Sequence, residues 1–366
     1  MSMRFYSKIL KRIARIKMQR RFGTPSLPYK YTFITTNACN SMCTTCGVWK
    51  IYRETPELLK TELANDEIAK VIDSVRDSVL WLNFTGGEVT LKKNLPDVIR
   101  HAYDVCPDLS MINVPMNGLK TNRTVEFIEN FVPHCKKTKT YVTLSLDMLG
   151  KDYEKTRGID GFDQVMETFG ALQDLEKRFP NFEVNFQLTV SQVNGMSSLK
   201  TFDFIANKSG LPIVTFAQEA SLFYNKEMEI DCAEKSTVVR DALLEIERRY
   251  PMVRLESLMP KIHLNLSQEF FRTGKSPMSC SSSYSTITVD PYGAVMACPF
   301  YSDKLAGNVR DAGYDLKAIL EGPKATELRE WVSTCRACWI NCEAIPSIME
   351  NFPVALAKAA KQKLLG

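Results

Sequence analysis

Three cysteines crowd one short stretch near the start of the chain, Cys39-Asn-Ser-Met-Cys43-Thr-Thr-Cys46, spaced C-x3-C-x2-C. Three thiolates that close together can hold three irons of a cubane 4Fe-4S cluster and leave the fourth iron open to a reactant. Zinc would want a fourth ligand nearby, and the histidines His101, His134 and His263 are all remote in sequence. The chain holds eleven cysteines. No stretch approaches the roughly 18–20 apolar residues of a membrane span, and the N-terminus is too basic and interrupted for a signal-peptide core. The expected compartment is therefore the cytoplasm, where thiols stay reduced and available to metal. Cys106, Cys135 and Cys232 stand alone and read as buried small apolar residues.

The cysteine loop needs a scaffold, and the pattern around it supplies one. Gly23-Thr-Pro-Ser-Leu-Pro28 breaks the N-terminal segment; strand-like runs at 31–36, 80–85, 110–116, 141–147, 183–190 and 212–218 then alternate with helical patterns. Between the first two runs, Ile68, Val71, Ile72 and Val75 follow an acidic helix start at Asn65-Asp66-Glu67. Repeated strand and helix alternation implies parallel strands, and six units suit an open, partial (β/α)6 TIM-like barrel within the α/β class. Two-faced burial would produce continuous apolar strands. Here Val142, Leu144 and Leu146 alternate with Thr143, Ser145 and Asp147, and Val184, Phe186, Leu188 and Val190 with Asn185, Gln187 and Thr189. The polar faces would line a ligand-filled lumen; an antiparallel sheet with one solvated face is the alternative.

Together, the C-x3-C-x2-C loop after a first strand and the turns that follow resemble the radical S-adenosylmethionine (radical SAM) superfamily, although Thr45, not an aromatic residue, precedes the third cysteine and Trp49 follows it. The resemblance implies that Cys39, Cys43 and Cys46 bind a 4Fe-4S cluster that also ligates S-adenosylmethionine. Gly86-Gly87-Glu88 resembles the superfamily's GGE turn, which meets the methionine amino group. The glycines allow close backbone approach and Glu88 offers acceptors. Asn117 resembles the asparagine of the turn after the third strand, Ser145 and Asp147 the polar pair of the fourth, and Arg157 a carboxylate partner. Gln187, Thr189, Asn194 and Gln218 are further candidate contacts to adenosine or substrate. The implied chemistry is reductive cleavage of S-adenosylmethionine to a 5′-deoxyadenosyl radical that abstracts hydrogen from a substrate C–H bond, with a reductant such as ferredoxin or flavodoxin as partner.

A second set, Cys280, Cys298, Cys335, Cys338 and Cys342, with Gly293 and Gly307-Asn308 between, resembles the SPASM extension and its shorter twitch form. Two all-cysteine cubanes would need eight ligands and this region has five, so one auxiliary iron-sulfur cluster is expected. Cys280, Cys298, Cys335 and Cys338 are the expected ligands, with Cys342 a substitute or a free thiol. Zinc held by the same residues remains open, since both metals accept C-x2-C.

The net charge of +5 hides an asymmetry: residues 1–22 carry eight Lys or Arg and no acid, leaving 39 basic against 42 acidic residues elsewhere. Phe5, Tyr6, Ile9, Leu10, Ile13 and Ile16 fall on one side of a helix and Arg4, Lys8, Lys11, Arg12 and Arg15 on the other. Such a helix either packs on the barrel or lies on an anionic membrane surface. A nucleic-acid arm is disfavoured because no RNA-binding signature accompanies the charge. The expected layout is a helix over 1–22, a linker over 23–30, the barrel over 31–225 and a C-terminal auxiliary-cluster region over 226–366. The short stretch before residue 31 disfavours a leader-binding domain. That places a peptide-modifying role second to a lipid, lipid-linked saccharide or small-metabolite substrate, with the basic helix tipping the balance toward lipid. Glu219, sharing the parity of Thr215 and Ala217, is the candidate acid-base residue. A non-catalytic, metal-stapled membrane-surface protein would need neither the GGE turn nor a polar lumen.

Overall fold

In the computed structural model, which describes residues 3–24, 27–225, 236–251 and 255–365, the alternation becomes six parallel strands. They are β1 Lys30–Ile34, β2 Trp81–Thr85, β3 Met111–Met116, β4 Lys139–Ser145, β5 Phe182–Val190 and β6 Ile213–Phe216. Each pairs in parallel with the next, which removes the antiparallel alternative. Cys232 and the side chains of Arg4, Phe5 and Tyr6 lie outside the described residues.

Side-chain period sorts the two faces as the sequence leads one to expect. Leu82, Phe84, Ile112, Val114, Val142, Leu144, Val184, Phe186 and Leu188 are buried beneath the outer helices. Among these helices, Asn65–Val75 buries Ile68, Val71, Ile72 and Val75, each worth roughly 1.5–3 kcal/mol. The inward face is polar: Thr32, Asn83 and Asn113 share one cross-strand row, and Asn113 donates to Asn83 at 2.9 Å. Thr143 Oγ1 is buried there with no protein partner.

The C-terminal region does not stand apart from this sheet. β7 Thr286–Val289 pairs in parallel with β1, and β8 Ala294–Met296 and β9 Leu305–Asn308 follow antiparallel, giving the order β6-β5-β4-β3-β2-β1-β7-β8-β9. Arg310, just past β9, donates Nε and Nη2 to the two Glu67 oxygens at 3.0 Å each, tying β9 to the helix Asn65–Val75.

The N-terminal helix Met3–Phe22 lies across the floor of the barrel, at the strands' N-terminal ends. Ile9, Ile13 and Ile16 are buried with Tyr29, Leu80 and Met111. Lys8 and Arg12 pair with Asp108 at 3.1 and 3.2 Å, and the Arg20 guanidinium sits 3.8 Å from the Tyr284 ring centre. The isoleucine face is therefore spent on the protein, and Leu10, grouped with it by helical wheel, is 64% exposed. No helix among the described residues is long and apolar enough to cross a membrane.

Candidate functional site

The loop that carries Cys39, Cys43 and Cys46 leaves the C-terminal end of β1 and is fastened from three directions. The short helix Tyr153–Arg157 backs onto it: Met42 N donates to Arg157 O and Thr44 N to Thr156 O, both at 3.0 Å. Gly158, at φ +65°, is required there because a Cβ would fall 2.2 Å from Met42 O. Trp49 Nε1 donates to Cys43 O at 3.3 Å. From the far end of the barrel, Asn225 Nδ2 donates to Thr45 O at 2.9 Å, and Gly47 N to Phe223 O at 2.7 Å. Ser41 N points at Cys39 Sγ (3.5 Å) and Ser41 Oγ lies 3.3 Å from Cys43 Sγ.

The donor set fits a cluster. Burial, with Cys43 beside both, pushes the Cys39 thiol up to about 11 and Cys46 up to about 12, so bare thiolates are disfavoured and a cationic metal core is what would deprotonate them. No three His, Cys, Asp or Glu side chains among the described residues are close enough to hold one metal ion.

Gly86 and Gly87 permit a close approach within the protein itself. A Cβ on Gly87 would meet Ala38 O at 2.3 Å, and one on Gly86 would meet Thr36 O at 2.3 Å. The close approach is thus to the root of the cysteine loop, sealed by Gly87 N to Thr36 O and Glu88 N to Ala38 O, both 2.7 Å. Glu88 is 2% exposed and accepts from Thr90 N (3.2 Å), Thr90 Oγ1 (2.8 Å) and Asn117 N (2.7 Å). A carboxylate has about four acceptor sites, so one is left unused by these three donors. Desolvation raises the Glu88 pKa, against those hydrogen bonds. Asn117 Nδ2 in turn donates to Asn40 Oδ1 at 2.7 Å.

Asp147 and Arg157 meet each other: Arg157 Nη1 lies 3.0 Å from Asp147 Oδ2, and Asp147 Oδ1 accepts from Thr189 N at 2.7 Å. Arg157 Nε is buried without a partner. Ser145, ending β4 opposite Gln187, is half-buried. Asn194 is consumed locally, bonding Ser191 N, Asp147 O and Thr189 O.

β6 ends at Phe216, sooner than its apolar run suggests, because Asn225 Oδ1 captures Ala220 N and turns the chain. The parity linking Glu219 to Thr215 stops with the strand, and Glu219 is half-buried on the loop beyond. Gln218 is the more telling residue. It is 4% exposed, and neither its Nε2 nor its Oε1 has a protein partner, an arrangement that costs roughly 1–3 kcal/mol per unsatisfied group unless a ligand or water supplies one.

The auxiliary set converges as expected in part. Cys280, Cys298, Cys335 and Cys338 line one small cavity with Tyr301, Trp331 and Arg336. Cys342 opens the helix Asn341–Glu350, with the buried Glu343 beside it and its carbonyl held by Lys30 Nζ at 2.8 Å. Ser282 N and Phe300 N approach Cys280 Sγ and Cys298 Sγ at 3.4 Å, as Ser41 N does Cys39. Cys106 and Cys135 are buried singly, as expected.

Residues 33–185 match the family model of the radical SAM superfamily, and residues 280–339 that of the SPASM iron-sulfur cluster-binding domain. The chain carries a radical SAM domain followed by a SPASM domain. As a radical SAM enzyme it binds a 4Fe-4S cluster and S-adenosylmethionine, carries an auxiliary iron-sulfur domain, and requires an electron donor and a substrate. Among solved structures it resembles native anSMEcpe with bound AdoMet and Cp18Cys peptide, at TM-score 0.60 and 17% identity over 92% of this chain and 99% of that one. It also resembles Streptococcus suis SuiB bound to S-adenosylmethionine, at 0.54 and 13% over 85% and 67%. By sequence it is 22% identical to a probable GTP 3′,8-cyclase of Sulfurisphaera tokodaii, across 78% of this chain and 84% of that one. A Thermococcus kodakarensis protein of the same name is 27% identical, but the match covers only 40% of this chain and 44% of its own length.

Proposed function

We propose that Cys39, Cys43 and Cys46 hold the S-adenosylmethionine cluster, and that the enzyme acts on a small polar metabolite seated in the lumen below Gln218. When bound and reduced, the cluster supplies the electron that splits the sulfonium into methionine and a 5′-deoxyadenosyl radical, which takes hydrogen from the substrate. The chain's own residues orient and shield. Glu88 presents its remaining acceptor to the methionine ammonium, and Arg157, steadied by Asp147, faces the carboxylate through its unused Nε. Ser145 and the Asn117 turn border the ribose side. The outer helices keep water from the lumen, protecting a radical from quenching.

The observation that carries the substrate class is Gln218, whose buried amide lacks both a donor and an acceptor partner. Such a group recognises a ligand edge offering one of each, as a nucleobase or an amide does. The preference for a lipid loses its support, because the helix on which it rested covers the opposite end of the strands. A peptide substrate is the second reading, favoured by the near full-length likeness to a structure holding a bound peptide. Cys280, Cys298, Cys335 and Cys338 would hold one auxiliary cluster, and flavodoxin or ferredoxin would serve as reductant.

Anaerobic reconstitution tests this. About eight irons should bind, replacing Cys39, Cys43 and Cys46 by Ala should remove half of them, and 5′-deoxyadenosine formation should vanish. Unchanged cleavage in that triple variant would overturn the assignment. Gln218→Leu should leave uncoupled cleavage intact while lowering turnover of the substrate found by comparative metabolite profiling.

A further inference from the structure

The N-terminal helix has a second face that the barrel floor does not use. Leu10, Met18 and Phe22 are 64%, 57% and 71% exposed. With the exposed Ala14 they follow one another at every fourth position, which makes a continuous stripe along the helix. Lys11 and Arg15 flank the stripe on one side and Lys17 and Arg21 on the other, all four exposed. The helix contains no acidic residue, and the carboxylate of Asp108 on the neighbouring floor is already engaged by Lys8 and Arg12 on the inner side. Lys136 and Lys137, exposed just ahead of β4, add positive charge at the same end of the sheet. Three large apolar side chains held in water between cations, on a helix whose other face is anchored by Ile9, Ile13 and Ile16, form an interfacial surface already folded.

We propose that this outer face docks the enzyme on an anionic lipid surface, Leu10, Met18 and Phe22 entering the headgroup boundary while Lys11, Arg15, Lys17 and Arg21 meet lipid phosphates. The cysteine loop and Gln218 lie at the other end of the strands, so the lumen mouth faces away from the membrane and takes its substrate from solution. A preformed helix avoids the folding cost that a disordered basic arm would incur on binding. The attraction is independent of the chemistry at the opposite rim, and so is its test.

Purified full-length protein is floated with vesicles of phosphatidylcholine containing 30% phosphatidylglycerol, and with pure phosphatidylcholine. It should float with the first at 0.1 M salt and not with the second. Raising salt to 1 M should cut binding at least tenfold as the Debye length contracts from about 10 to about 3 Å. Leu10→Ser/Met18→Ser/Phe22→Ser and, separately, Lys11→Glu/Arg15→Glu should each lower partitioning at least tenfold, with melting temperature and S-adenosylmethionine cleavage unchanged because no altered side chain is buried. Equal flotation of parent and variants, equal binding to neutral vesicles, binding to homopolymer RNA without vesicle binding, or a dimer that the serine variant dissolves without any vesicle binding would each overturn the proposal.

Discussion

Replacing Glu88 by Gln tests the proposal that one carboxylate serves both fold and ligand. The change keeps the shape and removes the charge. In the native turn Oε1 accepts from Thr90 N and Oγ1, and Oε2 from Asn117 N. A Gln side chain can leave its oxygen toward Thr90, but its amide N–H then faces the Asn117 N–H, donor against donor, in a site only 2% exposed. An unsatisfied buried donor costs about 1–3 kcal/mol, and losing the charge on the other bonds adds to it, for a total near 3 kcal/mol. Over 366 residues, at about 2.1 cal/mol/K per residue, that lowers Tm by roughly 4 °C. The lost ammonium contact is worth a further ~1.5–3 kcal/mol of S-adenosylmethionine affinity, tenfold to a hundredfold. Calorimetric melting of the anaerobic protein and titration with S-adenosylmethionine well below Tm read the two effects separately. A variant with unchanged Tm would refute the three-donor role, and one with unchanged affinity would refute the spare acceptor.

Gly87→Ala should cost about 3 kcal/mol, because its Cβ meets backbone atoms of Asn37 and Ala38 and two sealing hydrogen bonds must give; iron binding should fall with it. Gly170→Ala, exposed within the helix Phe162–Arg178 and with nothing near its Cβ, should instead stabilise by up to about 1 kcal/mol in the same denaturation assay. His263 is buried, stacked between Phe216 and Trp339, and burial lowers its pKa to about 4. The unfolded chain therefore binds its proton first, and stability should fall by about 2 kcal/mol from pH 6.5 to 5, a slope that His263→Phe should flatten. Glu67, held by Arg310 and Tyr314, titrates near 2. Glu67→Gln should cost about 1 kcal/mol above pH 4.5 after allowance for solvent screening, and the difference should fade as pH falls toward 2.

Much of this enzyme is legible without coordinates because its signals are short in range. The C-x3-C-x2-C spacing, the polar and apolar alternation of strands 141–147 and 183–190, and the Ile68, Val71, Ile72, Val75 stripe each depend on neighbours within one loop, strand or helix. Residue period alone therefore placed the cysteine loop at a strand end and the polar face inward. What period cannot say is which distant group meets a given face. Helical periodicity grouped Leu10 with the isoleucines, yet only Ile9, Ile13 and Ile16 found the floor of the barrel, and Leu10 was left outside. The glycines of the GGE turn are needed because another strand's exit crosses within 2.3 Å. Asp147 and Arg157, two candidate ligand contacts, proved to be each other's partner. β6 stops where Asn225 seizes Ala220 N and Thr45 O, the latter 180 residues away in sequence. Contacts of that kind depend on closing long loops, and their partners are chosen by the packed sheet and helices. Only the tertiary structure decided them, and with them which polar groups, Gln218 above all, were left unpaired.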